Sequence, residues 1–384
     1  MFTYNLLKEA FGLYEGLRLD DVLVLACQHL LNDQQKAFEL LIEAGLKPEN
    51  CIVVGKNYSA NPDVIKALKM KGCVIAPFST DFDPLQNFDD WFESKLTAFL
   101  EQEIGLSKLQ KFHKIIILDD GGFMHLAVNK ICGNMKNIVG IEQTSSGFHK
   151  IRESVIKFPS TPITRTFHKL TLESPFIAQN GYERINRHIQ IRNKINPNIL
   201  VIGLGAIGRQ IAGQLFLIHG HRGNATDIKW DSWNVLEHGA SQLLNNDGKI
   251  IAPVDAIERL GEFDVIIGTT GSPVLTNSDI NRLHPEVSLI SMSSSDREFP
   301  AVAFRQAGGE IHDDYWMENR CLVNGGFPIT FDGTPQSLPP EQIELTVAMM
   351  FTCLLNEASD NMYTLSMVMN RLLSMWEPYC NKQA

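Results

Sequence analysis

Short apolar runs separated by amphipathic stretches recur in two series along this 384-residue chain, and that alternation restricts its fold more than any other feature. Val22–Ala26, Cys51–Val54, Cys73–Ala76, Lys114–Leu118 and Asn137–Gly140 read as buried strands. Helices fit between them at Asn32–Ala44, Asn61–Met70 and Phe88–Glu103, with Asn32 and Asn61 as N-caps and Pro62 at a first helical position. After the loop-like FPSTPITRTF a second series begins near Ser174, with strands at Asn198–Gly203, Lys249–Ala252, Asp264–Gly268 and Val287–Ser291. Its helices fall at roughly Tyr182–Arg192, Ala206–His219 and Ala301–Gln306. Near Gly325 the pattern stops, and GGFPITFDGTPQSLPP leads into helices from about Glu341 to Ala358 and from about Met362 to Trp376. Strands joined by crossover helices make parallel sheets, so the expectation is two doubly wound α/β domains.

Composition narrows the partners. Thirty-four Lys and Arg against 44 Asp and Glu leave a net charge of −10 with no dense basic run, which disfavours nucleic acid. No apolar stretch approaches the roughly 20 residues that cross a bilayer, so no membrane association is expected. The start, MFTYNLLKEAFGLYEG, lacks the cationic head and apolar core of a secretion signal. Seven cysteines without a C-x-x-C pair read as reduced thiols of a cytoplasmic protein, with no metal site.

The sharpest local motif is Gly203-Leu204-Gly205-Ala206-Ile207-Gly208, a G-x-G-x-x-G that follows an apolar strand and opens a helix. Gly203 permits the tight turn, Gly205 lets backbone amides approach a pyrophosphate, and Gly208 allows close packing of helix on strand. The helix N-terminus offers N–H groups and partial positive charge to phosphates. Asp227, nineteen residues beyond Gly208, supplies a carboxylate for the adenosine ribose hydroxyls and favours NAD over NADP. The same turn without a ligand is the alternative. Thr269-Thr270-Gly271, at the end of a later strand, fits either a second loop over the cofactor or a plain capping turn.

Together these segments resemble the S-adenosylhomocysteine hydrolases (adenosylhomocysteinases), from about residue 20 to about residue 357. Ala26-Cys27-Gln28-His29-Leu30 is similar to the family's C-L-H-M-T strand end. Leu118-Asp119-Asp120-Gly121-Gly122 resembles its D-D-G-G, and Glu142-Gln143-Thr144-Ser145-Ser146-Gly147 its E-E-T-T-T-G. Gly203–Gly208, Thr269-Thr270-Gly271 and Leu322-Val323-Asn324 follow its cofactor-domain motifs in order. The resemblance implies a Rossmann NAD-binding domain, taken as 179–325, inserted in a flavodoxin-like substrate domain of residues 1–178 completed by 326–384. It also implies a tightly held NAD that transiently oxidises the ribose 3′-hydroxyl of an adenosine-type ligand, which permits elimination of the thiol. His29 and Asp120 then stand as catalytic and substrate-binding groups and Gln143 as a substrate contact. Thr144, Ser145, Ser146, Gly203, Gly205, Ala206, Ile207, Gly208, Asp227, Thr269, Thr270, Gly271 and Asn324 are implied around the cofactor. Taken without the resemblance, His29 reads as a hydrogen-bonded strand-end histidine and Asp120 as a turn residue.

Other family positions depart. Gln143 replaces a glutamate. In the stretch Asn180–Gln190, Ile185 stands where the family has a proton-accepting lysine and Ile189 where it has an aspartate. A shift could bring Arg184 or Arg187 there, but a guanidinium is a poor base; His188 is the better substitute. Ser294 and Phe327 occupy the places of two family histidines, and the family's K-P-D-H-Y-R-Y tail is missing from EPYCNKQA. The family tetramer is therefore not expected, and the C-terminal helices pack either internally or as a homodimer. Losing one general base costs about 10²–10⁴-fold, so several losses leave little proton-transfer chemistry. The leading expectation is an NAD-binding, adenosylhomocysteinase-like protein with weak or altered activity. The alternatives are a hydrolase working through His188, Asp120 and His29, and a non-catalytic scaffold.

Overall fold

Val22–Leu30 (β1) is buried along its whole length, as a central strand of a parallel sheet covered on both faces must be. In the computed structural model, which describes residues 4–104, 109–166, 169–227, 248–360 and 362–380, β1 pairs in parallel with Cys51–Ala60 (β2) and Lys114–Asp119 (β4). Val74–Ile75 (β3), Ile138–Glu142 (β5) and Ser160–Pro162 (β6) complete a six-stranded sheet in the order β3-β2-β1-β4-β5-β6. The sheet is doubly wound, as expected. Its order is that of a dinucleotide fold; a flavodoxin-like sheet runs 2-1-3-4-5. The winding reverses between β1 and β4, where the carboxyl ends leave a crevice.

Helices Asn5–Gly12 (α1), Asn32–Glu43 (α2), Pro62–Met70 (α3), Phe88–Glu103 (α4), Phe123–Cys132 (α5) and Ser145–Glu153 (α6) belong to this half of the chain. Asn61 caps α3 through its side-chain oxygen, which accepts from the Asp63 and Val64 amides at 3.0 and 3.4 Å. Asn32 does not cap α2. Leu31 holds that position, because the Asn32 amide groups donate to the Pro335 carbonyl and the Gln336 side chain.

The second sheet reads β12-β13-β11-β10-β7-β8-β9. Its strands are Ile199–Ile202 (β7), Gly223–Thr226 (β8), Gly248–Ile250 (β9), Val265–Gly268 (β10), Ser288–Ser291 (β11), Tyr315–Met317 (β12) and Arg320–Leu322 (β13), all parallel except the β12–β13 hairpin. Its helices are Ser174–Ile191 (α7), Ala206–Ala212 (α8), Pro253–Glu258 (α9) and Ala301–Phe304 (α10); α8 runs on as a wider helical turn over Gly213–Ile218. Here the winding reverses between β7 and β10.

The chain divides into a unit of Met1–Asp81, Phe92–Lys169 and Gly333–Ala384 and a unit of Phe82–Trp91 with Leu170–Asp332. Relative to the sequence-based boundaries, the divisions shift to 169/170 and 332/333, and residues 82–91 fall in the second unit. Polar and aromatic contacts hold that segment. The Phe88 amide donates to Asp296, Asp89 pairs with Arg297 at 2.8 Å, and Arg305 lies 5.2 Å from the Phe82 ring and 4.9 Å from that of Phe327. In the first unit, Pro340–Ala358 (α11) packs on α1 and α2 through Phe351 against Phe11 and Phe38, and Leu365–Cys380 (α12) follows it. Glu344 on α11 accepts the Leu7 amide at 2.9 Å; Asp33 accepts from Tyr4 Oη at 2.9 Å and Gln336 Nε2 at 2.7 Å. Cys27, Cys51, Cys73, Cys132, Cys321 and Cys353 are buried free thiols. Among the described residues no helix is long and apolar enough to cross a membrane.

Candidate functional site

At the switch point of the first sheet, the carboxyl ends of β1, β2 and β4 bring together His29, Ser59, Lys56 and Asp120. The register explains how. Gln28 pairs with Gly55 but Leu30 pairs with Ala60, so β2 bulges over Lys56–Ser59 and turns those side chains inward. Lys56, 1% exposed, ion-pairs with Asp120, 2% exposed, through Nζ and Oδ1. The other Asp120 oxygen meets His29 Nε2 at 3.2 Å and accepts from Gln143 Nε2. His29 Nδ1 lies 2.5 Å from Ser59 Oγ. Burial alone would raise the Asp120 pKa, but the Lys56 ammonium outweighs it and holds the carboxyl well below its usual range. Burial likewise opposes the Lys56 charge, and Asp120 more than restores it. His29 is pushed down by burial and so stays neutral at pH 7. Gln143 Oε1 and Asn57 Oδ1, both buried, have no hydrogen-bond partner among the described residues.

Behind this cluster the D-D-G-G turn divides its two aspartates. Asp119 faces α5, where its Oδ2 accepts from the His125 amide at 2.9 Å and lies 2.8 Å from His125 Nδ1. The Gly121 and Gly122 amides donate to Glu142 at 3.1 and 2.9 Å, and φ of 99° and 77° at these residues is what glycine permits. Thr144 donates to the same carboxylate through N and Oγ1 and caps α6 by accepting the Gly147 amide at 3.0 Å. A side chain at Gly147 would collide with the Glu142 carboxylate, which gives the terminal glycine of that motif its reason. Ser145 Oγ lies 3.0 Å from Thr164 Oγ1, and Ser146 sits in the first turn of α6. Asp119, His125 and Glu142 are close enough to hold a metal ion. Both His125 nitrogens and both Glu142 oxygens are already hydrogen-bonded, however, so a cation there would have to displace those bonds.

At the switch point of the second sheet, Gly203 takes φ 107° and its amide donates to Thr226 O at 2.8 Å. Asp227, directly after β8, accepts the Leu204 amide at 2.8 Å. The glycines test the fit of a dinucleotide. A Cβ at Gly208 would overlap the Gly203 carbonyl oxygen and the Thr269 hydroxyl, so helix and turn touch there. A Cβ at Gly205 would meet nothing within 4 Å, which leaves open space at the helix start, over Ala206 and Ile207. Turn, helix start and carboxylate therefore fit such a group, whose phosphates would be held at Gly205 and ribose at Asp227. Thr269 Oγ1 donates to Gly203 O at 2.7 Å, tying the second loop to the first. Glu298, fully buried, shapes that loop by accepting from Thr270 N, Gly271 N and Ser291 Oγ at 2.6, 3.1 and 2.7 Å. No motif marks Glu298 or Lys56, and the sequence reading missed both.

Other expected residues lie elsewhere. His188 bonds Ser288 Oγ at 3.1 Å, and Ser288 aligns with Val265 and Ile199 at the amino ends of the strands. The glycine turn sits at the carboxyl ends, about 10 Å along the strands, so the role of substitute base has no support in this placement. Ile185 and Ile189 belong to the apolar core with Tyr182 and Met292. Arg184 is drawn to Asn180 and Asp332, and Phe327 packs against Phe88. Asn324 Oδ1 lies 3.0 Å from His312 Nδ1, and its Nδ2 donates to the Pro328 and Phe331 carbonyls, so its amide is committed to its own loop.

Fold and turn together define a two-unit α/β protein with a Rossmann-type strand–turn–helix. No family model matches the chain. An uncharacterized protein of Mycobacterium tuberculosis is 31% identical over 348 residues, 88% of this chain; the chain spans 64% of that relative's length. An adenosylhomocysteinase of Sulfurisphaera tokodaii is 25% identical over 174 residues, 40% of each chain, and one of Sulfolobus acidocaldarius is 28% identical over 116 residues, 28% of this chain and 27% of its own. Among solved structures, the dipicolinate synthase A chain of Bacillus subtilis aligns at TM-score 0.40 and 13% identity, covering 90% of this chain and 97% of its own. An L-alanine dehydrogenase aligns at TM-score 0.36 and 9% identity, covering 91% and 100%. The fold class rests on the strand orders above.

Proposed function

We propose that this chain binds NAD at the switch point of its second unit and an adenosine-type ligand at that of its first, with weak or altered adenosylhomocysteinase-like activity. The observation that carries the reading is Asp227 bonded to the glycine turn beside the open face of Gly205. Similarity to two adenosylhomocysteinases over part of the chain supports it. NAD, when bound, supplies a hydride acceptor. The chain's own part is to orient the ribose through Asp227 and the phosphates through the α8 amides, and to receive ligand hydroxyls at His29, Asp120 and Gln143. Ile185 and Ile189 in the core speak against ordinary hydrolysis. Mass analysis of small molecules released on denaturation, with calorimetry for NAD and NADP, tests the cofactor: NAD binding tighter than NADP is expected, and a folded protein that binds neither overturns the reading.

A second reading has its own support. The Lys56–Asp120–His29 cluster keeps ionisable groups at a switch point, which favours an active hydrolase using substitute residues. Thiol release from S-adenosylhomocysteine at roughly 1 s⁻¹ or faster would select it.

A further inference from the structure

A lysine ordinarily carries its ammonium to water along its own flexible stem. Lys56 does not; the bulge in β2 turns it inward, and both it and Asp120 are buried. A buried ion pair seldom stabilises a fold more than apolar side chains of the same size would. What the pair does control is the state of Asp120. A carboxylate held charged can only accept hydrogen bonds. His29 Nε2 must then carry a proton toward Asp120, which leaves Nδ1 as the acceptor facing the Ser59 hydroxyl.

We infer that Lys56 is a positioning residue: it keeps Asp120 a permanent carboxylate and so fixes His29 as the Nε2–H tautomer, making Asp120 an acceptor for ligand hydroxyls and never an acid. The donor chain runs from Ser59 through His29 to Asp120. Because Lys56 and Asp120 cancel in charge and His29 is neutral, the cluster takes a neutral, hydroxyl-bearing ligand in preference to a phosphorylated one. The other charged or titratable groups acting here are Cys27 and Tyr58 near Lys56, Lys169 near His29, and Glu142 and Asp119 behind Asp120. The ligand preference rests on the adenosine reading above; the tautomer does not.

The test is nitrogen-15 NMR of histidine-labelled protein across pH 5–8, in wild type, K56R, K56M and K56M/D120N. Wild type and K56R are expected to hold His29 as Nε2–H. In K56M the uncompensated Asp120 should draw a proton to His29 and raise its pKa by about one unit, a tenfold change in the protonation equilibrium. Should K56M not fold, K56M/D120N removes both charges of the pair together and is expected to show mixed tautomers. An Nδ1–H His29 in wild type, an unchanged His29 in K56M, or a fixed Nε2–H tautomer in the double variant overturns the assignment. Calorimetry with adenosine and adenosine 5′-monophosphate reads the ligand class, adenosine being expected to bind at least about tenfold tighter. Preference for the monophosphate overturns the neutral-ligand claim. Absence of adenosine binding with an Nε2–H His29 overturns the adenosine reading and supports Lys56.

Discussion

The carboxylate of Asp227 accepts the backbone N–H of Leu204 at 2.8 Å, so the acid that would face a ribose also braces the turn that would hold the phosphates. Asp227→Ala removes both effects. A hydrogen bond to a charged group contributes about 1.5–3 kcal/mol, so NAD affinity should fall roughly 10–100-fold, with Asp227→Asn intermediate, as read by calorimetry.

Two glycines of the turn should separate binding from folding. Gly205→Ala adds a methyl group to open space and should leave the melting temperature near wild type while blocking the phosphates. Gly208→Ala drives a methyl group into the Gly203 carbonyl and should cost on the order of 3 kcal/mol of stability in thermal melts.

Glu298→Ala leaves the Thr270 amide without its acceptor and the Gly271 amide with Ser293 Oγ alone, at 2.9 Å. Each buried donor left unsatisfied costs about 1–3 kcal/mol, so the variant should melt lower than wild type. Proteolysis should cut near 269–271 sooner, and Glu298→Gln should recover part of the loss.

His188→Ala removes one hydrogen bond to Ser288 and should cost about 1 kcal/mol of stability. NAD affinity should stay within about twofold of wild type. A large loss of NAD binding would restore His188 to the site.

Burial raises Asp33 to about 6 and Glu344 to about 7. A carboxyl whose folded pKa lies above its unfolded value stabilises most below the unfolded value, and that contribution disappears as pH rises through the folded one. Stability should therefore decline between about pH 4 and 7, by on the order of 2–3 kcal/mol from Asp33. Glu344, more open to solvent, should add less. Asp120, held low by Lys56, adds a slope of opposite sign only at the acid end, below about pH 5, where its unfolded form takes up a proton. Asp33→Asn and Glu344→Gln should each flatten the profile in urea titrations.

Much of the fold was legible because apolar runs mark buried strands directly. β8 was not: its sequence Gly-Asn-Ala-Thr has no apolar run, and it enters the sheet because Gly223 lets its backbone lie against the Ile199 carbonyl. Residues 231–247, where the sequence reading placed no element, lie outside the described residues. The glycine turn and Asp227 could be read because a nucleotide turn constrains a contiguous stretch. Lys56 and Glu298 could not, since each is brought to its place by tertiary contacts, one by a bulge and the other by a loop seven residues past its strand.

Because α1 and α2 pack against α11, the first unit is assembled from stretches of chain that flank nearly all of the second. A ribosome emits them in sequence, so the amino-terminal sheet waits, its helices half covered, until some 170 further residues have been made. A nascent chain stalled before Pro340 should engage chaperones longer than one released whole.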